Sequence, residues 1–184
     1  MTFIDTIIKE REKYALRGED LMTIIDTNLI PYHELMKYNE LEEILDSKFR
    51  CILLMESEYN NGHYVCLSYN IQSNILEFWD SYGNSHDNLI KGGLDYSVYK
   101  DGEYFLNRLI RKFMQKTKCE YIHSGHQFQR LSNESNVCGR YAFYRAQFHY
   151  IPVNEFNSDI VEFCKTHSLH PDDFVTMMTN LIHQ

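Results

Sequence analysis

Three regimes of apolar spacing divide the chain. From Phe3 to Leu16, Phe3, Ile4, Ile7, Ile8 and Tyr14 recur at helical spacing, with Gly18 placed as a stop. Glu19-Asp20 supply negative charge for a second helical start that carries Leu21, Ile24 and Ile25 and is broken by Pro31. Two short helical pieces follow, around His33–Lys37 and Glu40–Asp46. At Phe49 the pattern changes. Cys51-Ile-Leu-Leu-Met55 is a continuous apolar run with the length of a buried strand. Beyond the turn cluster Asn60-Asn61-Gly62, a period of two puts His63, Val65, Leu67 and Tyr69 on one face of a second strand. Asn70–Asn74 turns again, and Ile75–Trp79 completes a β-meander.

The last regime is mainly helical. Residues 84–102 read as a loop containing Gly92-Gly93 and Gly102. Tyr104–Lys116 is an amphipathic helix with Phe105, Leu106, Leu109, Ile110 and Phe113 inward. Cys119–Gln129 reads as a strand, interrupted by Ser124-Gly125. The polar, turn-forming run Ser132–Asn136 leads to Cys138, and Tyr141, Phe143, Tyr144 and Phe148 then recur at helical spacing up to Pro152. A helix with Phe163 and another from Pro171 to His183 follow. The expected fold class is α+β: a central mixed or antiparallel sheet of about five strands with helices around it. One domain is expected over 1–184, with a helical part at 1–48, a core at 49–150 and C-terminal helices at 151–184.

Composition narrows the function. With 43% hydrophobic and 24% charged residues the chain is globular rather than disordered. A net charge of −8 argues against a dedicated nucleic-acid binder. Arg108, Arg111, Lys112, Lys116 and Lys118 crowd one segment, which reads as a solvated helix face. Five cysteines, odd in number and without scaffold spacing, suit reduced thiols. No basic-then-apolar leader and no apolar stretch of membrane-spanning length is seen, so a soluble intracellular protein without membrane contact is expected.

Candidate chemistry gathers around Cys138. At a helix start, the dipole favours its thiolate, and Gly139 leaves room for a substrate backbone to approach. Taken alone, Cys138 reads more readily as a small buried apolar residue. A thiol nucleophile needs a base and a group to hold that base. His63 begins one strand, and Asp80 follows the end of the next, seventeen positions on, with a turn near Gln72 midway. Hairpin pairing makes the two neighbours at one sheet edge. His123-x-x-His126 and His167-x-x-His170 are not read as metal ligands; spacing three on a strand points the first pair to opposite faces.

Gly62-His63-Tyr64, Phe78-Trp79-Asp80-Ser81-Tyr82-Gly83, Gln129 and Cys138-Gly139-Arg140-Tyr141, in that order, resemble the adenovirus-protease and SUMO-protease superfamily of cysteine peptidases. The nearest pattern is that of the maturation proteases of virophages, Maverick-type elements and large DNA viruses. The match spans Phe49 to about Phe148. The resemblance implies a papain-like, adenain-type architecture with Cys138 as nucleophile, His63 as base and then acid, Asp80 orienting the imidazole, and Gln129 in the oxyanion hole. Gln127 is left open as an alternative to Gln129. Tyr64, Trp79 and Gly139 are expected to line the substrate cleft; relatives commonly have Trp where Tyr64 stands.

Cleavage of capsid or other virion precursors after glycine, in the virion and host-cell interior, is the implied activity. It requires no cofactor or metal and is expected of a monomer; a peptide or DNA activator is left open. Removal of ubiquitin-like modifiers, or acetyl transfer with the same residues, are the alternatives. Ile90-Lys91-Gly92-Gly93 resembles a Gly-Gly cleavage site but reads better as a glycine turn.

Overall fold

The computed structural model describes residues 3–12, 20–21, 26–58, 61–93, 104–131 and 136–181. At its centre lies a five-stranded sheet in the order β1-β2-β3-β4-β5, formed by Asn28–Pro31, Arg50–Glu58, Asn61–Asn70, Ile75–Trp79 and Glu120–His123. β2, β3 and β4 are the antiparallel meander, and β1 and β5 join its two edges in parallel. Around it lie α1 (Phe3–Glu12), α2 (His86–Gly93), α3 (Phe105–Thr117), α4 (Cys138–Gln147), α5 (Val153–His167) and α6 (Pro171–Leu181). Two 3₁₀ turns, Tyr32–Lys37 and Leu41–Glu43, precede β2. The fold is α+β with a mixed sheet.

Both faces of the sheet are covered, which is why β2 reads as an unbroken apolar run. Leu53, Met55, Val65, Leu67 and Phe78 share one cluster with the 3₁₀ turns and α3. Ile52, Cys66 and Trp79 share the other with α4, α5 and α6. Each fully buried aliphatic or aromatic side chain contributes about 1.5–3 kcal/mol.

Four expectations change. The N-terminal third is not all helical, because Asn28–Pro31 pairs with β2 as an edge strand. Proline is tolerated at such an edge, where its missing N–H leaves no gap in a ladder. Residues 86–93 form a helix instead of a loop, its start capped by the Ser85 hydroxyl accepting from Asn88 N–H at 3.3 Å. Gly92-Gly93 therefore ends a helix. β5 stops at His123, and Gln127 and Gln129 lie beyond it. Gly18, Ile24, Ile25, Asn60, Gly102, the run 132–135 and the residues after Leu181 fall outside the described residues.

The basic face of α3 has internal partners. Arg108 donates to the Tyr38 carbonyl at 2.8 Å, Lys112 to the Asn39 carbonyl at 3.1 Å, and Lys116 to Glu42 at 2.7 Å. These contacts tie the helix to the 3₁₀ turns.

Gly62 fixes the register beside His63. A Cβ there would lie 2.1 Å from the Met55 carbonyl oxygen and 2.7 Å from the Glu56 Cα, both backbone. No rotamer relieves such a clash, so the strands must part. Gly62→Ala is expected to destabilise the fold by about 1–3 kcal/mol or more, read as a lowered urea midpoint. An unchanged midpoint would show that β2 and β3 yield there at no cost.

Candidate active site

The site forms where β3 begins and β4 ends. The last paired residues of that hairpin are Cys66 and Trp79, so His63 and Asp80 lie just past the ladder on its open side. Asp80 is fully buried, and its Oδ1 meets His63 Nε2. Backbone N–H groups hold the carboxylate from the other directions: Tyr82 donates to Oδ1 at 3.2 Å and Asn84 to Oδ2 at 2.9 Å. Gly83 closes this turn at φ +75°, its N–H donating to the Asp80 carbonyl at 3.0 Å. With Nε2 committed to Asp80, Nδ1 is the ring nitrogen left for a second partner. On that side lies Cys138, close enough for imidazole and thiol to act on each other.

Cys138 is the first residue of α4 and is half-buried. Backbone N–H groups of Tyr64 and Gly139 also reach its sulfur. Burial by itself would push the thiol up; the His63 hydrogen bond and charge, with those two N–H groups, outweigh it and bring the thiol below its ordinary value. Burial would likewise pull the imidazole down. Asp80 and Cys138 reverse that and push His63 up to about 10. Asp80 is also raised by burial but drawn below the usual carboxylate range by His63 and the two turn N–H groups. The three shifts favour the charged form of each group: thiolate, imidazolium and carboxylate.

Helix α4 is held at several points along its polar side. Tyr141 donates to Asp172 at 3.0 Å, and Arg140 to the Thr179 hydroxyl at 2.8 Å, both on α6. Arg145 makes a two-pronged pair with Glu77 of β4, both bonds 2.7 Å. Arg50 of β2 donates to the Ala146 carbonyl at the helix end. Sheet and C-terminal helix thus fix where the sulfur sits.

Gln129 is buried, its backbone N–H donating to the Ser81 carbonyl at 3.0 Å and its Oε1 accepting from the Ser81 hydroxyl at 2.8 Å. Gln127 is exposed and donates to the Gln129 carbonyl. Of the two, Gln129 is the one tied to the turn that follows Asp80.

Two residues expected to line the cleft are buried. Trp79 is 1% exposed, packed among Phe128, Tyr141 and Phe156, with its N–H donated to Asn157 at 3.3 Å. Strand alternation sends it under α4 and α5, so it is a core residue. Gly139 is buried in the first turn of α4, with its N–H toward the sulfur. Tyr64 stays half-exposed beside the site. An aromatic missed as a site residue is Tyr82, whose ring lies 4.9 Å from that of His63. Burial and the nearby Cys138, Asp172 and Asp80 charges push its phenol up to about 12. Arg130, next to Gln129, bonds Asp172 through its backbone N–H at 3.3 Å and Asp173 through its side chain at 3.4 Å, which ties this segment to α6.

His167 stacks on Phe163, and His170 lies 3.8 Å from Asp172. Among the described residues no three His, Cys, Asp or Glu side chains gather as metal ligands, and no helix is long and apolar enough to cross a membrane.

No family model matches the chain. It is similar to a Sputnik virophage protein described as "Uncharacterized protein V9", with 30% identity over 176 residues, covering 94% of this chain and 98% of V9. The chain belongs to the family of that virophage protein.

Proposed function

We propose that this chain, a member of the virophage V9 family, is a cysteine endopeptidase of papain-like, adenain type. The observation that carries the reading is the meeting of three side chains from distant parts of the chain: His63 bonded to Asp80 on one side and next to Cys138 on the other, with the thiol drawn down and the imidazole raised. Such a group is uncommon as mere structure, because a thiolate and an imidazolium partly withdrawn from water are costly to hold.

The mechanism follows from the protonation states. The Cys138 thiolate attacks a peptide carbonyl; a C–S bond forms and the carbonyl electrons move to oxygen. Gln129 and the Cys138 backbone N–H donate to that oxyanion. Its collapse breaks the C–N bond as His63 gives its proton to the departing amine. His63 then takes a proton from water, which attacks the thioester and frees the thiolate. Asp80 holds the ring through both steps. The half-exposed Tyr64 and Tyr82 frame the approach, which suits a small residue, glycine, before the cleaved bond. Capsid or other virion precursors are the proposed substrates, and the virion and host-cell interior the place of action.

Co-expression of the native chain and of Cys138→Ala with a capsid precursor from the same virus tests the reading. Discrete fragments with glycine at the new C-terminus, made by the native chain only, are expected. Identical fragments from both would overturn it. Release of a ubiquitin-like modifier, with the precursor left intact, would move the activity to the isopeptidase class.

A further inference from the structure

The imidazole of His63 has edges and faces, and they meet different neighbours. Asp80 takes the Nε2 edge, and Cys138 lies toward the other. One face is covered by the ring of Tyr82, with 4.9 Å between ring centres and 31° between planes. An aromatic face is the negative side of the ring quadrupole, and a cation laid over it within about 6 Å is attracted. A neutral imidazole lacks that charge, so such a neighbour favours the protonated ring.

The turn after β4 fixes where the Tyr82 ring stands. Its backbone N–H donates to Asp80 Oδ1 at 3.2 Å, the same oxygen that meets His63. The next residue, Gly83, closes the turn on the Asp80 carbonyl at 3.0 Å. A Cβ on Gly83 would lie 2.9 Å from the His126 backbone carbon and 3.1 Å from the Gln127 nitrogen, so the turn is pressed against that segment. A carboxylate and an aromatic ring thus reach the imidazole from one short turn, two residues apart. The charged and titratable groups facing the pair are Asp80 in that turn, Cys138 at the head of α4 and Asp172 of α6.

We infer that Tyr82 is a positioning residue whose ring, laid on the face of His63, favours the imidazolium and keeps its plane directed at Asp80 and Cys138. The use of this in catalysis rests on the peptidase reading: the proton so held is the one His63 gives to the departing amine.

The test follows His63 itself. With carbon-13 at the histidine Cε1 positions, its NMR signal is picked out of the nine histidines by its loss in His63→Gln and titrated against pH. Tyr82→Leu fills similar space without an aromatic face. Its His63 midpoint is expected to fall by about half a unit to one unit, the weight of one cation–π contact, and the upfield ring-current shift of the His63 protons should vanish. Tyr82→Met should do the same and keeps the test open if leucine disturbs the turn. Tyr82→Phe, which keeps the ring, should retain both the midpoint and the ring-current shift. With a cleaved peptide, the alkaline limb of kcat/KM should move down in Tyr82→Leu by the same amount as the midpoint.

A His63 midpoint unchanged in both Tyr82→Leu and Tyr82→Met would overturn the inference and leave the peptidase reading standing. So would a fall in Tyr82→Phe as large as in Tyr82→Leu, which would place the effect in the hydroxyl. A native chain that cleaves no precursor, while Tyr82→Leu still lowers the midpoint, would overturn the peptidase reading and leave the ring contact standing.

Discussion

Replacing Cys138 with alanine is expected to lower kcat/KM toward a cleaved peptide by roughly 10⁴–10⁶-fold, with little change in the unfolding midpoint. On the peptidase reading proposed above, the size follows from covalent catalysis. Without sulfur no thioester forms, and the remaining oxyanion donors and binding groups retain only the residual acceleration that such sites keep over water. His63→Ala should fall in the same range, because it removes both the partner that stabilises the thiolate and the proton donor for the amine. The assay is steady-state hydrolysis of a peptide spanning a mapped cleavage site. A Cys138→Ala protein that still turns over at a tenth of the native rate would exclude the sulfur as nucleophile.

The largest effect on stability is expected at Arg145. It is fully buried, pairs twice with Glu77, donates to the Phe148 carbonyl at 2.8 Å and the Ile151 carbonyl at 2.9 Å, and lies 4.6 Å over the Phe156 ring. Taking two charges out of water is expensive, and only this complete set of partners offsets it. Arg145→Ala leaves a buried carboxylate without its partner and takes a donor from the Ile151 carbonyl, while the Phe148 carbonyl keeps the Ile151 N–H at 3.0 Å, at an expected cost of about 3–5 kcal/mol in urea unfolding. Glu77→Ala should cost a similar amount. Arg145→Met combined with Glu77→Leu removes both charges but still takes the Arg145 donors from the Phe148 and Ile151 carbonyls, so it should recover only part of the loss. A single-variant cost below about 1 kcal/mol would mean that water or another group takes over the pairing.

The link from sequence to fold was clearest where neighbours in the chain are neighbours in space. The meander from Arg50 to Trp79 was legible because strand alternation, the turn at Asn70–Asn74 and short connections all agree. The hairpin also brings His63 to Asp80 without any long-range knowledge. Cys138 was legible as a helix start, but its meeting with His63 depends on α4 crossing the sheet. Buried arginines fix that crossing, and their partners, Glu77 and Ala146, lie 68 and 96 residues away from Arg145 and Arg50 respectively.

Other features were hidden for physical reasons. Strand β1 has four residues and ends in proline, which reads as a break wherever no sheet edge is known to be waiting. The cap at Ser85, with Asp87 in the first helical turn, was a readable signal for α2, masked by the two glycines that close it. Trp79 suggested a cleft wall by residue type, yet strand alternation carried it into the core, and Tyr82 in the following turn came to lie beside the imidazole. Ser81 was in plain view within Asp-Ser-Tyr-Gly. Its partner Gln129 is 48 residues further on, and only the folded chain joins the two.

The central claim is that His63 and Asp80 hold the Cys138 sulfur as a thiolate at neutral pH. The rate of Cys138 alkylation by iodoacetamide, followed against pH in the native chain and in His63→Ala, measures this directly. The native rate should be flat through neutrality and fall only as pH drops through the depressed value of the thiol. The protective imidazolium should persist until pH approaches about 10, where His63 loses its proton. In His63→Ala the rate should instead climb with pH toward an ordinary thiol value of about 8.5. A native curve that climbs in the same way, superimposed on that of His63→Ala, would contradict the account.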